Sequence, residues 1–291
     1  MSNNFLIKNT PILKEYDTIG IISTSDGVSK ETLSKIINIL ENFNLKPKLS
    51  QTIIRVNSHF SGTGEERAEE LTKLFCDKEI KAIFDISGGD SANYILPYLD
   101  FEKIAQNKKY FFGYSDLSVI INFLYRKSHV KSFYYNFHNL YGEFASEQQD
   151  LFKKLFFNEN PNFLTYDLNW IYGKSMSGIV IGGNIRCFLK LAGTKYFPNV
   201  GKKILFLESL SGNSNRIGSF LAQLEQIGVF EKISGILLGT FTELENKKDI
   251  PTTEELFLEI AKKYKLPIAK TNKLGHGKDA HCLPIGFKIN I

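Results

Sequence analysis

Through roughly the first half of the chain, short apolar runs suited to buried strands alternate with stretches of helical periodicity, and few architectures accept that order. Residues 18–23 (TIGIIS) read as a strand; after them Leu33, Ile36, Ile37 and Leu40 recur at helical spacing, with Ser29 placed to cap the helix. Thr63-Gly-Glu-Glu66 has the form of a capping box and opens a helix that carries Ala68, Leu71, Leu74 and Phe75 on one face. Residues 80–86, 110–112 and 132–135 read as three further strands, with a helix from about residue 117 to 126. Strands that are apolar throughout are buried on both faces, and helical crossovers between them bring them parallel. The expectation is an α/β fold: a parallel sheet with helices on both faces.

At 291 residues the chain sits near the size at which single cores stop growing. Between residues 158 and 177 the periodicity fades and Asn, Pro, Gly and Ser collect, which predicts a crossing between two lobes, 1–157 and 178–291. In the second lobe, strands at residues 204–207 and 236–238 flank a helix bearing Ile217, Phe220, Leu221 and Leu224; another helix is expected over 254–264 and a β-rich tail over 285–291.

The 36 basic and 31 acidic residues give a net charge of +5, spread without any block of like charge. That argues for a solvated surface, not a nucleic-acid groove. No stretch has the length of a signal-peptide core or a membrane span. Cys76, Cys187 and Cys282 lack metal-type spacing and suit reduced thiols in the cytoplasm, packed as small core residues.

Two loops carry chemistry. In Phe111-Phe-Gly-Tyr-Ser-Asp116 a strand runs through Gly113 into Ser115 and then a helix, at the carboxyl end of the sheet where ligands of open α/β folds bind. The pattern is G-x-S-x-L, because Leu117 stands where a nucleophile elbow has its second glycine. Ser115 is therefore either an exposed nucleophile or a helix cap. Ser87-Gly-Gly-Asp-Ser91 also follows a strand; Gly88 and Gly89 allow close backbone approach, for an oxyanion, a phosphate or simply a tight turn. A nucleophilic serine needs a base. Of five histidines, His276 lies between two glycines; His59, His129 and His138 read as structural or surface groups, and His281 lies in a less constrained stretch. Glu208 ends an apolar strand, where a carboxylate is costly to bury unless hydrogen-bonded. Together they give the chain order Ser, Glu, His of α/β-hydrolases.

These residues carry a resemblance. Phe60-Ser-Gly-Thr-Gly-Glu-Glu-Arg67, Gly88-Gly89 with Leu96-Pro-Tyr-Leu-Asp100, Gly113-Tyr-Ser-Asp116, Gly182-Gly-Asn184, Leu207-Glu208 and Gly275-His276 with Leu283-Pro-Ile-Gly286 follow one another as in the LD-carboxypeptidases, a group that includes the muramoyl-tetrapeptide carboxypeptidases and the microcin C immunity peptidases. The resemblance implies Ser115 as nucleophile, His276 as general base and acid, and Glu208 as the group orienting it. It implies an oxyanion hole from the backbone N–H of Asp116 and of a glycine at Gly88-Gly89. It further implies a flavodoxin-like N-terminal sheet joined to a smaller β-rich α/β C-terminal domain, a homodimer, and no metal or cofactor. The substrate would be a small peptide with a free carboxylate, such as a cytoplasmic murein tetrapeptide cut before its terminal D-alanine. Ser87-Gly-Gly-Asp-Ser91 followed by Asn93 looks closer to the immunity branch than to the Arg-Gly-Gly-Tyr-Gly of many carboxypeptidases. That keeps a peptidyl- or aminoacyl-nucleotide amide open as substrate, and Trp170 is then either a stacking partner for a base or a packing residue. From the glycine loop alone, a non-catalytic module binding nucleotide or sugar phosphate also remains open. Arg186, Lys273 and Lys278 are the cations available to a substrate carboxylate.

Overall fold

A computed structural model describes residues 11–56, 59–158, 161–164 and 166–291. Among the described residues, twelve strands form two six-stranded sheets. In the first, β1 (Thr18–Ile22), β2 (Lys46–Leu49), β3 (Ile80–Asp85), β4 (Tyr110–Gly113) and β5 (Ser132–Tyr134) are parallel and lie in the order 2-1-3-4-5. This is the flavodoxin-like arrangement. The second contains β6 (Asn169–Tyr172), β7 (Ser177–Asn184), β8 (Lys203–Ser209), β9 (Gly235–Phe241) and β10 (Ile268–Lys270). Strands β7 to β10 run parallel, with β6 antiparallel beside β10. The C-terminal stretch serves both sheets: β11 (Leu283–Ile285) pairs antiparallel with β5 in the first, and β12 (Lys288–Asn290) with β7 in the second.

Alternation along each strand divides the core. Ile19 and Ile21 of β1 pack with Phe84, Phe112 and Phe133 against the helices Lys30–Asn42 and Ala145–Phe156, whereas Ile22 points to the opposite face. In β8, Leu205 and Leu207 pack under the helix Ser214–Gln226, while Ile204 and Phe206 join a cluster shared with the first sheet. The helix Ser118–Ser128, which begins three residues after Ser115, lies in that shared layer and is buried almost all round. Asn122, a buried polar residue of this helix, pins it to the second sheet: it donates to Gly182 O at 2.8 Å and accepts from Gly182 N–H at 2.9 Å.

The Ser29 cap and the Thr63–Glu66 capping box form as the sequence predicts. Four strands have no counterpart in the sequence reading: β2, β6, β7 and β10. β2 (KPKL) is polar and holds Pro47, as an edge strand tolerates. β6 lies inside the stretch read as the crossing and is likewise an edge. Trp170, in β6, is half-buried against the shared core.

Candidate active site

Ser115 stands where β4 ends, and its backbone is held at φ 54°, a region that non-glycine residues rarely enter. A helical cap would not need that conformation. The turn is fixed from both sides. The N–H of Ser115 donates to the Tyr134 hydroxyl at 3.1 Å, and its carbonyl accepts from Ser118 Oγ at 2.7 Å. Ser118 Oγ in turn accepts from Asn184 N–H at 2.8 Å, tying the turn to the end of β7. Gly183, at φ 140°, makes room for this contact: a Cβ there would lie 2.3 Å from Ser118 Oγ.

The two sheets bring the separated residues together. His276 Nε2 is 3.2 Å from Ser115 Oγ, and its Nδ1 is 2.5 Å from Glu208 Oε2. Glu208 is 0% exposed and the His276 side chain 9%, so their pairing is shielded from solvent. Glu208 Oε1 accepts from the Tyr134 hydroxyl at 2.8 Å and from Asn184 Nδ2 at 2.9 Å, which meets the desolvation cost of a carboxylate at a strand end. With those donors on one oxygen and an acceptor-only carboxylate facing the ring, Nδ1 carries the hydrogen and Nε2 is left to accept from Ser115. Tyr114 completes the surroundings: its ring lies 4.6 Å from the His276 ring, and its hydroxyl donates to Gly275 O at 2.9 Å. Burial, and then the nearby Glu208 carboxylate, raise the Tyr114 and Tyr134 hydroxyls well above the usual phenol range, so both stay protonated donors. Tyr134 and the donor role of Asn184 are missing from the sequence reading, because neither has a local pattern; their place at the ends of β5 and β7 is the signal that could have found them.

A cavity of about 190 Å³ opens over Ser115 and His276, walled by Gly88, Asp85, Asn136 and His138. Gly88 faces open space, whereas Gly89, at φ 132°, turns its Cα against the Asp26 carboxylate. Asp116 has its side chain buried and its backbone in the turn after Ser115. His138, read as structural or surface, lines this cavity, with its Nδ1 2.5 Å from the Tyr141 hydroxyl. His129 is the left-handed cap of the helix Ser118–Ser128, and His281 stands edge-on to Tyr166. The three cations available to a carboxylate are each paired within the chain: Arg186 with Asp90, Lys273 with Asp279, and Lys278 with Glu143 at 2.6 Å. A larger concavity of about 570 Å³ between Thr52, Phe60 and Glu70 has no histidine on its walls. Among the described residues no group of three or more His, Cys, Asp or Glu is placed to hold a metal ion, and no helix is long and apolar enough to cross a membrane.

Asp85, at the end of β3, has a shifted charge state. Burial pushes its carboxyl from 3.8 up to about 6, outweighing the hydrogen bonds it accepts from Ser87 and Thr24. The folded value lies above the unfolded one, so the fold favours the protonated form. That contribution is complete below about pH 4 and is lost as the pH rises through about 6. Relative to Asp85→Asn, the wild-type protein is expected to lose on the order of 2–3 kcal/mol of stability between about pH 4 and pH 7. Urea unfolding of both proteins at the two pH values checks this; an unchanged difference would contradict it.

Residues 19–135 match the LD-carboxypeptidase N-terminal domain and residues 177–291 the LD-carboxypeptidase C-terminal domain. A probable murein peptide carboxypeptidase of Bacillus subtilis is 28% identical, over 95% of this chain and 89% of its own. The microcin C7 self-immunity protein MccF of Escherichia coli is 25% identical, over 94% of this chain and 90% of its own. A solved structure of MccF in complex with glutamyl sulfamoyl guanosine superimposes with a TM-score of 0.84 at 24% identity, covering 98% of this chain and 95% of that one.

Proposed function

The chain belongs to the LD-carboxypeptidase family, and from that premise we propose that it hydrolyses an amide bond with Ser115 as nucleophile, His276 as general base and acid, and Glu208 as the group that orients His276. The observation that carries the reading is the unbroken line from Ser115 Oγ through both ring nitrogens of His276 to the buried Glu208, with Ser115 held in a left-handed backbone. His276 Nε2 takes the Ser115 proton as Oγ attacks the scissile carbonyl carbon. The charge that develops on the carbonyl oxygen is met by the backbone N–H of Asp116 and of the Gly88-Gly89 turn; Gly88, on the cavity wall, is the better placed of the two glycines. One such donor is typically worth about 3–4 kcal/mol. The imidazolium then protonates the leaving amine, and water, deprotonated by His276, releases the acyl group.

The substrate is proposed as a murein tetrapeptide cut at the L,D bond before its terminal D-alanine. The small polar cavity beside Ser115 supports it by suiting a single small residue. A second reading, cleavage of an aminoacyl- or peptidyl-nucleotide amide, is favoured by the Ser87-Gly-Gly-Asp-Ser91 loop, and MccF is a relative that binds a glutamyl sulfamoyl nucleoside. Incubating the purified protein with L-Ala-γ-D-Glu-meso-diaminopimelyl-D-Ala and, separately, with an aminoacyl-sulfamoyl adenosine distinguishes them. Release of D-alanine is the expected result. Cleavage of the nucleotide alone would replace the first reading with the second, and cleavage of neither would remove both.

A further inference from the structure

We infer that Lys190 is a positioning residue for the oxyanion hole, holding the glycine loop and the Ser115–Asp116 turn at a fixed distance from one another; the inference rests on the catalytic reading above. Lys190 caps the helix Ile185–Leu189, which leaves the end of β7 beside the site. Its Nζ lies 2.5 Å from Asp116 Oδ1 and 2.8 Å from the main-chain oxygen of Asp90. Asp116, 0% exposed, uses its other carboxylate oxygen to accept from Ser25 Oγ at 2.7 Å and from Ala92 N–H at 2.9 Å. One carboxylate, next in the chain to the nucleophile, thus gathers contacts from the end of β1, from the residue after the glycine loop and from the second sheet. Among the described residues Lys190 is its ion-pair partner.

The remaining anchors of the glycine loop come from the first sheet's own side. Asp26 N–H donates to Gly88 O, Ser25 N–H to Ser87 Oγ, and Arg67 to Ser91 Oγ. From the second sheet's side come Lys190 and Arg186, and Arg186 holds only the outward Asp90 side chain. Two N–H donors on the ends of different strands serve one oxyanion only if their separation is held. Lys190 touches both segments at once from the second sheet's side, through Asp90 O on one and the Asp116 carboxylate on the other, as Ser25 does from the first sheet's side through Ser87 and Asp116.

Such donors are aimed at charge that develops in the transition state, so their displacement acts on kcat more than on KM. A misplacement of about 1 Å can cost about 10²-fold. Lys190→Met, similar in length and uncharged, is therefore expected to lower kcat about 10–100-fold while KM stays within about threefold. Lys190→Arg, which can still bridge a carbonyl and a carboxylate, is expected to recover kcat to within about fivefold of wild type. Because Lys190→Met leaves a buried charge unpaired, thermal unfolding is followed alongside. In Lys190→Met/Asp116→Asn the unpaired charge is gone, so stability should return while kcat stays low.

The assay uses whichever of the two substrates the wild-type protein cleaves. Wild-type kcat in Lys190→Met, a change in KM alone, or full recovery of kcat in the double variant would each overturn the inference and leave the serine-peptidase reading standing. A wild-type protein that cleaves neither substrate would overturn both.

Discussion

The Ser115→Ala protein is expected to bind substrate with an unchanged KM and to turn it over about 10⁴–10⁶-fold more slowly than wild type, a loss of the size seen when a hydrolytic nucleophile is removed. The size of the effect follows from the position of the hydroxyl. His276 Nε2 is directed at Ser115 Oγ at 3.2 Å, and its other nitrogen is already engaged by Glu208. No second hydroxyl is hydrogen-bonded to Nε2 among the described residues, so nothing takes over the attack. The backbone of the turn should survive the change. Its N–H and carbonyl are held by Tyr134 and Ser118, not by the Ser115 side chain, and the unfolding midpoint is expected to stay within a few degrees of wild type. Steady-state kinetics with D-alanine detection checks the first part and scanning calorimetry the second. Full activity in this variant would remove the assignment.

Glu208→Gln is the second large effect, with kcat expected to fall about 10³–10⁴-fold because the histidine is left in the wrong tautomer. The geometry fixes which way the new amide must point. Tyr134 and Asn184 both donate to Oε1, so the amide oxygen has to stay on that side and the NH₂ is forced toward His276 Nδ1. Nδ1 must then accept. The ring hydrogen moves to Nε2, which can no longer take the Ser115 proton. The histidine NMR spectrum provides a check independent of turnover: the hydrogen-bearing nitrogen of His276 should switch from Nδ1 to Nε2 between wild type and Glu208→Gln. A variant that keeps both the wild-type tautomer and the wild-type kcat would show that Glu208 does not orient the base.

What could be read in the sequence divides along physical lines. The parallel sheet was legible because its central strands are buried on both faces and therefore mainly apolar, as in residues 18–23 and 80–86. The edge strands β2 and β6 were not, since an edge strand need bury only part of its surface and Lys46-Pro-Lys-Leu49 has no apolar period. The Ser115 turn was visible as a strand running through Gly113 into a helix, but its choice between nucleophile and cap depended on residues far away in the chain. Those distant contacts are what local pattern omits. Tyr134, Asn184 and Lys190 act through partners between 19 and 100 residues away, and no spacing rule connects them. Likewise the polar pair of Asn122 with Gly182, inside a helix that otherwise reads as plain core, carries the junction between the sheets.

The most direct test of the central claim is covalent labelling with a fluorophosphonate, followed by peptide mass spectrometry. Attack by Ser115 Oγ on phosphorus would expel fluoride and pass the proton to His276, the same first step proposed for the amide. One adduct is expected, on Ser115, absent from Ser115→Ala and formed far more slowly in Glu208→Gln. Label on a different residue, or an unlabelled wild-type protein that still hydrolyses its substrate, would contradict it.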